Sequence, residues 1–298
     1  MKKDYHQLLQ AKIINNVSGL ALISRVIVDG YLSGLNHSRR VGSGLEFSQY
    51  RGYEPGDDLR LLDWKMLARS GRYYLKQSEV ETHIAVKFIL DSSKSMLHTE
   101  GGISKMEYAK VVIASLAYLA QNQGDAVGLF ALNDKQLQSL YGTVKKQHYK
   151  RFLLELTKVQ CQGKWPVDKM ASQKLHDRSH KELIFFVTDM YEYDAELTEF
   201  IKRLKTVRNE VVVLQIMGNQ ELEFDYKGFV IFEDLETGTK LKVETSAAKK
   251  QYLDSLEAMM VQVKNDLLSE GISYELFKLN DKIEEVLNLF LKRRNKLL

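Results

Sequence analysis

The sequence predicts an α/β fold, a mostly parallel sheet with helices on both faces. Three observations predict it. Short apolar runs alternate along the chain with stretches of helical period. The runs are continuous and not alternating, as strands buried on both faces require. The 298 residues are 44% hydrophobic and 28% charged, the balance of an ordinary globular chain.

The elements follow in order. Leu8, Leu9, Ile13, Val17, Leu20 and Ile23 keep helical spacing, so residues 5–33 read as one helix facing a core. Residues 36–82 are rich in Gly, Arg, Asp and Tyr and carry the turn Glu54-Pro55-Gly56-Asp57. His83–Leu90 is the first apolar strand. Ser104-Lys105-Met106-Glu107 is a capping box that opens a helix through about Gln121. Asp125–Leu132 is a strand, Gln136–Tyr141 a short edge strand, and 147–159 a helix. Glu182–Thr188 is a strand, 194–206 a helix, and Val211–Met217 a strand. Phe229–Asp234 and Lys240–Val243 flank Glu236-Thr237-Gly238, the pattern of a hairpin. A helix over 247–269, a strand over 272–277 and a helix over 283–294 close the chain.

Composition narrows the function. A net charge of +4 is too small to indicate a nucleic-acid or anionic-membrane partner, and the basic pairs, such as Lys145-Lys146, are scattered. Cys161 is the one cysteine, so no internal disulfide forms, which fits a reducing compartment. No run reaches the roughly 18 apolar residues of a membrane span, and no signal peptide is evident. The expected location is cytoplasmic.

Open α/β sheets bind ligands outside the carboxyl ends of their strands. Asp91 stands there, in Asp91-Ser92-Ser93-Lys94-Ser95, and so does Asp189, in Thr188-Asp189. If their strands are neighbours, both acids reach one edge. Mg²⁺ is a hard ion that takes oxygen ligands and keeps several waters. Asp91, Ser93, Ser95 and Asp189 supply such oxygens. The other reading of the same residues is a set of Asx and Ser turns.

These two segments resemble two of the three parts of the metal-ion-dependent adhesion site of von Willebrand factor A domains. A longer likeness lies upstream. Ser38-Arg39-Arg40-x-Gly42-x-Gly44-x-Glu46-Phe47, Arg51-x-Tyr53-x-Pro55-Gly56-Asp57-Asp58-x-Arg60, Asp63-Trp64 and Ala68-Arg69-x-Gly71 resemble the signature of the bacterial domain-of-unknown-function-58 family. Asp234-Leu235-Glu236-Thr237-Gly238 and Arg293-Arg294 continue it. The resemblance implies a von Willebrand factor A-like, Rossmann-like core over 81–298 behind a family-specific N-terminal segment, 1–80. It also implies pairing with MoxR-type AAA+ ATPases, and it brings no established reaction.

One departure matters. The family's third metal motif usually reads Gly-Gly-Thr, whereas this region reads Gln162-Gly163-Lys164-Trp165, with no threonine between Thr157 and Thr188. The hydroxyl ligand is missing, so Mg²⁺ is expected to bind weakly or not at all. Lys164 is expected to place its ammonium against Asp91 or Asp189 in place of the ion.

The block containing Arg51, Asp57, Asp58, Arg60, Asp63 and Trp64 interleaves opposite charges. It reads either as a partner-docking surface or as an internal salt-bridge network. His176-Asp177-x-x-His180 has the spacing of a zinc helix, but its surroundings are polar all round and read as a solvated loop. The chain has no Gly-x-Ser-x-Gly elbow and no phosphate loop, since Gly163-Lys164 is followed by Trp165.

The expected function is therefore a non-catalytic protein-binding adaptor acting with a MoxR-type ATPase or its client through a degenerate adhesion site. The alternative is a Mg²⁺-dependent phosphoesterase using Asp91 and Asp189.

Overall fold

The structure, a computed structural model, describes residues 9–36, 49–54, 62, 64–77, 84–145, 147–166, 181–192 and 195–295. Contacts divide it into two units. One is Gly34–His83, and the other joins the residues up to Ser33 to those from Ile84 onward. The boundary drawn from sequence at residue 80 thus moves: the N-terminal helix belongs with the sheet. The reason is apolar burial, because Ile14, Leu20, Ile23 and Ile27 sit in the same core cluster as Phe88, Leu90 and Val187.

The expected single helix over 5–33 is two among its described residues, α1 (Ala11–Ile14) and α2 (Val17–Asn36). Asn16 divides them. Its side-chain oxygen accepts from the Ser18 and Gly19 N–H groups, which is how an asparagine caps a new helix start. The smaller unit holds β1 (Gln49–Gly52), α3 (Trp64–Ser70) and β2 (Tyr74–Gln77), with β1 and β2 antiparallel and Tyr53 against Tyr73.

The larger unit continues with β3 (Ala85–Asp91), a 3₁₀ turn (Lys94–Leu97), the short pair β4 (Thr99–Glu100) and β5 (Ile103–Ser104), and α4 (Lys105–Asn122). β6 (Ala126–Leu132), β7 (Leu137–Thr143), α5 (His148–Lys158), β8 (Glu182–Thr188), α6 (Glu196–Leu204) and β9 (Asn209–Met217) follow. Then come α7 (Asn219–Glu223), β10 (Phe229–Glu233), β11 (Lys240–Glu244), α8 (Thr245–Ser269), β12 (Ser273–Lys278) and α9 (Ile283–Asn295).

Six strands form one sheet in the order β12-β9-β8-β3-β6-β7, with only β7 antiparallel to its neighbour. Counted in chain order from β3 and read from β7, this is the doubly wound order 3-2-1-4-5-6. The fold is α/β, a mostly parallel sheet flanked by helices. The continuous apolar runs explain themselves: Phe88, Leu90, Phe185 and Val187 join one core cluster, while Ile89, Ile184 and Phe186 join another across the sheet. Lys87 breaks the pattern inside β3 and pairs there with Glu182 at the start of β8. β10 and β11 form a separate antiparallel hairpin, as the turn at 236–238 predicts.

Candidate functional site

β3 and β8 are parallel neighbours, with Leu90 opposite Val187. Asp91 ends β3, and Asp189 follows the end of β8. Both acids therefore reach one edge, at the point where the strand order reverses, which is where doubly wound sheets bind ligands.

Asp91 is buried. One of its oxygens accepts from the Ser93 N–H at 2.9 Å, and the other accepts from Thr188 Oγ1 at 2.8 Å. Ser93 and Ser95 Oγ lie 2.9 Å apart, and Ser95 Oγ donates to Asp189 Oδ1 at 3.1 Å. Gln215, from β9, donates to the Asp189 carbonyl at 3.0 Å. The 3₁₀ turn after Asp91 brings Ser95 back over the strand end. Asp91, Ser93, Ser95 and Asp189 are thus brought together, as their positions predict.

The cation at this site is Lys105. Its ammonium donates to Asp189 Oδ2 at 3.0 Å and to Glu221 Oε1 at 2.8 Å, with the lysine side chain 4% exposed. Burial pulls the lysine's affinity for its proton down. The Asp189 and Glu221 carboxylates more than offset this, so it is held above the ordinary lysine range. The capping box aims Lys105. Ser104 Oγ accepts from the Glu107 N–H, and Glu107 returns a bond to the Ser104 N–H, so the first turn of α4 starts in one place.

Lys164 does not play the predicted part. It is exposed, its backbone N–H donates to Asp134 Oδ1 at 3.1 Å, and its ammonium forms no ion pair with Asp91 or Asp189. The cause is the anchoring of its segment. Gln162 N–H bonds the Ser92 carbonyl, Lys94 N–H bonds the Gly163 carbonyl, and Trp165 packs on Phe186 and Phe200. Gly163 has φ +58°, and a Cβ there would lie 1.6 Å from Asp134 Oδ1. Gly163→Ala should therefore cost about 2 kcal/mol, from left-handed strain and the displaced Asp134. Urea unfolding checks this, and a loss under about 0.5 kcal/mol would show that the turn relaxes freely.

A third carboxylate comes from the hairpin. Asp234 Oδ1 accepts from the Glu236 and Thr237 N–H groups, which fixes the turn. Glu236, half-buried, is pushed up to about 7 by burial and by Asp91, Asp189 and Asp234. Asp91 is pushed up to about 6 by burial and then by Asp189. Burial pushes the Cys161 thiol up to about 12, away from the range of activated thiols.

The donor set is a poor match for a divalent ion. Asp91, Ser93 and Ser95 offer hard oxygens. Asp189, which would complete them, is already committed to the Lys105 ammonium, and segment 162–165 contributes no hydroxyl. Among the described residues, no three His, Cys, Asp or Glu side chains are grouped to hold a metal.

The remaining expected residues lie in the smaller unit or beyond the described ones. Arg51 lies in β1. Trp64 opens α3 and is exposed. Asp57, Asp58, Arg60, Asp63, His176, Asp177 and His180 lie outside the described residues. Among the described residues, no helix is long and apolar enough to cross a membrane.

A cleft of about 860 Å³ opens beside the acids. Ser95, Lys105, Asp189 and Glu221 line one side, and Phe224, the β10–β11 hairpin and Tyr252 of α8 line the other.

Comparison with known proteins finds relatives of this sequence. The model of the family described as "Protein of unknown function DUF58" matches residues 49–260. The uncharacterized protein Rv1480 of Mycobacterium tuberculosis is 22% identical over 226 residues, 74% of this chain and 69% of the relative. The uncharacterized protein YeaD of Bacillus subtilis is 23% identical over 183 residues, 61% of this chain and 42% of the relative. Among solved structures, the conserved hypothetical protein BatB from Bacteroides thetaiotaomicron is 14% identical with a TM-score of 0.45, covering 72% of this chain and 99% of that one. The SpRpn10 VWA domain is 14% identical with a TM-score of 0.41, covering 70% and 95%.

Proposed function

The chain belongs to the DUF58 family, and from that premise we propose that it is a protein-binding adaptor whose strand-end face engages a MoxR-type AAA+ ATPase or its client. One observation carries the reading. The second acid of the site is tied by Lys105 into an internal ion pair that opens on a cleft, so the site is built to hold a shape and present it. A metal-dependent hydrolase needs that carboxylate free for its ion. The resemblance to MoxR-associated chains supplies the partner class.

Two measurements test it. Pull-down of the MoxR-type ATPase should succeed with the wild type and fall about tenfold with Asp91→Ala/Asp189→Ala, checked for folding by circular dichroism. No recovery by the wild type, with or without nucleotide, would count against the adaptor role. A phosphatase and nuclease screen with Mg²⁺ or Mn²⁺ should show no turnover, and activity abolished by Asp91→Ala would establish the rival hydrolase.

Metal independence follows from the same pair. An ion at about 100 times its dissociation constant stabilises a fold by about 2.7 kcal/mol. Melts in EDTA and in about 10 mM MgCl₂ should therefore nearly coincide. A clear rise with Mg²⁺ that Asp91→Ala removes would show that Asp189 exchanges Lys105 for the ion.

A further inference from the structure

We infer that the cleft between the sheet edge and the β10–β11 hairpin receives a basic side chain, flanked by an apolar residue, from a partner polypeptide. This names the chemistry of the partner and rests on the protein-binding reading above.

Size and lining come first. About 860 Å³ is within the range of pockets that enclose a ligand. The walls are Phe224, Tyr226, Phe232, Leu241, Val243 and Tyr252, which suit an aliphatic stem and its apolar neighbour. Phe224 and Tyr252 centroids lie 4.6 Å apart, and Tyr226 and Phe232 lie 5.0 Å apart, edge to face. Aromatic faces beside carboxylates attract a cation.

Charge decides the sign. The lining holds the carboxylates of Asp189, Glu221 and Asp234, with Glu233 at the hairpin's edge, against the ammonium of Lys105 and the ring of His98. Lys105 is already shared between Asp189 and Glu221. Lys240 pairs with Glu233 at 3.2 Å, but both side chains are largely exposed, and such pairs contribute little. An incoming guanidinium or ammonium meets a field that its own charge relieves, and an anion meets repulsion.

The hairpin selects a polypeptide over a free amine. Its inner face, with Phe232, Leu241 and Val243, lines the cleft. On its outer face Phe229 and Ile231 are 70% and 63% exposed. A two-stranded ribbon is marginal by itself, and apolar side chains on both faces call for a partner larger than one amine.

The test uses acetylated, amidated peptides of alternating Leu and Arg, Leu and Gln, or Leu and Glu, read by fluorescence anisotropy. The Arg peptide should bind about tenfold more tightly than the Gln peptide, and the Glu peptide should not bind. Glu233→Lys, on an exposed strand position, and Ala248→Trp, which fills the cleft from α8, should each weaken the Arg peptide about tenfold. If Ala248→Trp does not fold, Ser255→Trp, one helical face along, replaces it. Free arginine amide should displace the peptide only at far higher concentration; displacement at equal concentration would make a small amine the ligand and overturn the polypeptide. Equal binding of all three peptides, or binding unmoved by the variants, would overturn the inference. The same variants go into the ATPase pull-down. Unchanged recovery of the ATPase with no peptide binding would sink the cleft and leave the adaptor standing. Selective Arg-peptide binding with no ATPase recovered would do the reverse.

Discussion

Lys105→Met should lower the unfolding free energy by about 3–5 kcal/mol, the loss expected when one partner of a buried ion pair is removed. Methionine keeps the length and apolar stem of the side chain, so packing changes little. What changes is charge. Asp189 keeps its carboxylate, 2% exposed, beside Asp91, and loses the ammonium 3.0 Å away. Glu221 suffers less, because its side chain is 23% exposed and it also accepts from the Gly218 N–H. The stranded charge is therefore Asp189. Lys105→Met/Asp189→Asn should recover most of the loss, since position 189 then carries no charge to strand, and the double-mutant cycle isolates the pair. At roughly 2–4 °C per kcal/mol, the single variant should melt about 10 °C lower. A loss within about 0.5 kcal/mol would mean that water reaches Asp189 and the pair is not structural.

Lys105 also shows where sequence reasoning stops. Its local surroundings were legible: Ser104 and Glu107 announced the helix start three residues apart, and the box is present. Its partners were not. Asp189 and Glu221 lie 84 and 116 residues away, and only the strand order brings them to the same edge. One signal was available. A lysine in the first turn of a helix opposes the macrodipole, which favours acids there, and such a local violation marks a tertiary demand. The expectation settled on Lys164 because it occupies the place of the family's threonine. The anchoring of Gly163 and Trp165 turned that position outward. The convergence of Asp91, Ser93, Ser95 and Asp189 was legible because continuous apolar strands place their ends at one edge. Glu236 reads from the sequence as part of a turn and of the family signature, and nothing in a linear pattern says which edge a hairpin tip covers. The break at Asn16 was hidden for a similar reason: the apolar spacing runs through it, and the cap is a single side chain.

Asp91→Asn should stabilise the protein at neutral pH, by up to about 3 kcal/mol, and that gain should vanish toward pH 4. The folded-state carboxyl is pushed up to about 6 from its ordinary value of 3.8, first by burial and then by Asp189. A group whose folded value is raised takes up its proton more readily in the native state. Its stabilising contribution is thus complete below 3.8 and is lost as pH rises through about 6. The interval corresponds to about 3 kcal/mol at 1.36 kcal/mol per pH unit. Asparagine mimics the protonated form. Its oxygen can accept from the Ser93 N–H, and its amide can donate to Thr188 Oγ1, which already accepts from the Met190 N–H and has a second lone pair. Wild-type stability should therefore gain on the variant as pH falls from about 7 to 4, and the two curves should meet near the lower end. Urea unfolding across that range measures the difference directly. Parallel curves would show that Asp91 is not strained by its charge, and that the acids are held apart in solution. A stabilising substitution at the strand end that also abolishes partner recovery would identify the unfavourable carboxylate as one kept for binding, the trade between stability and function expected of a working site.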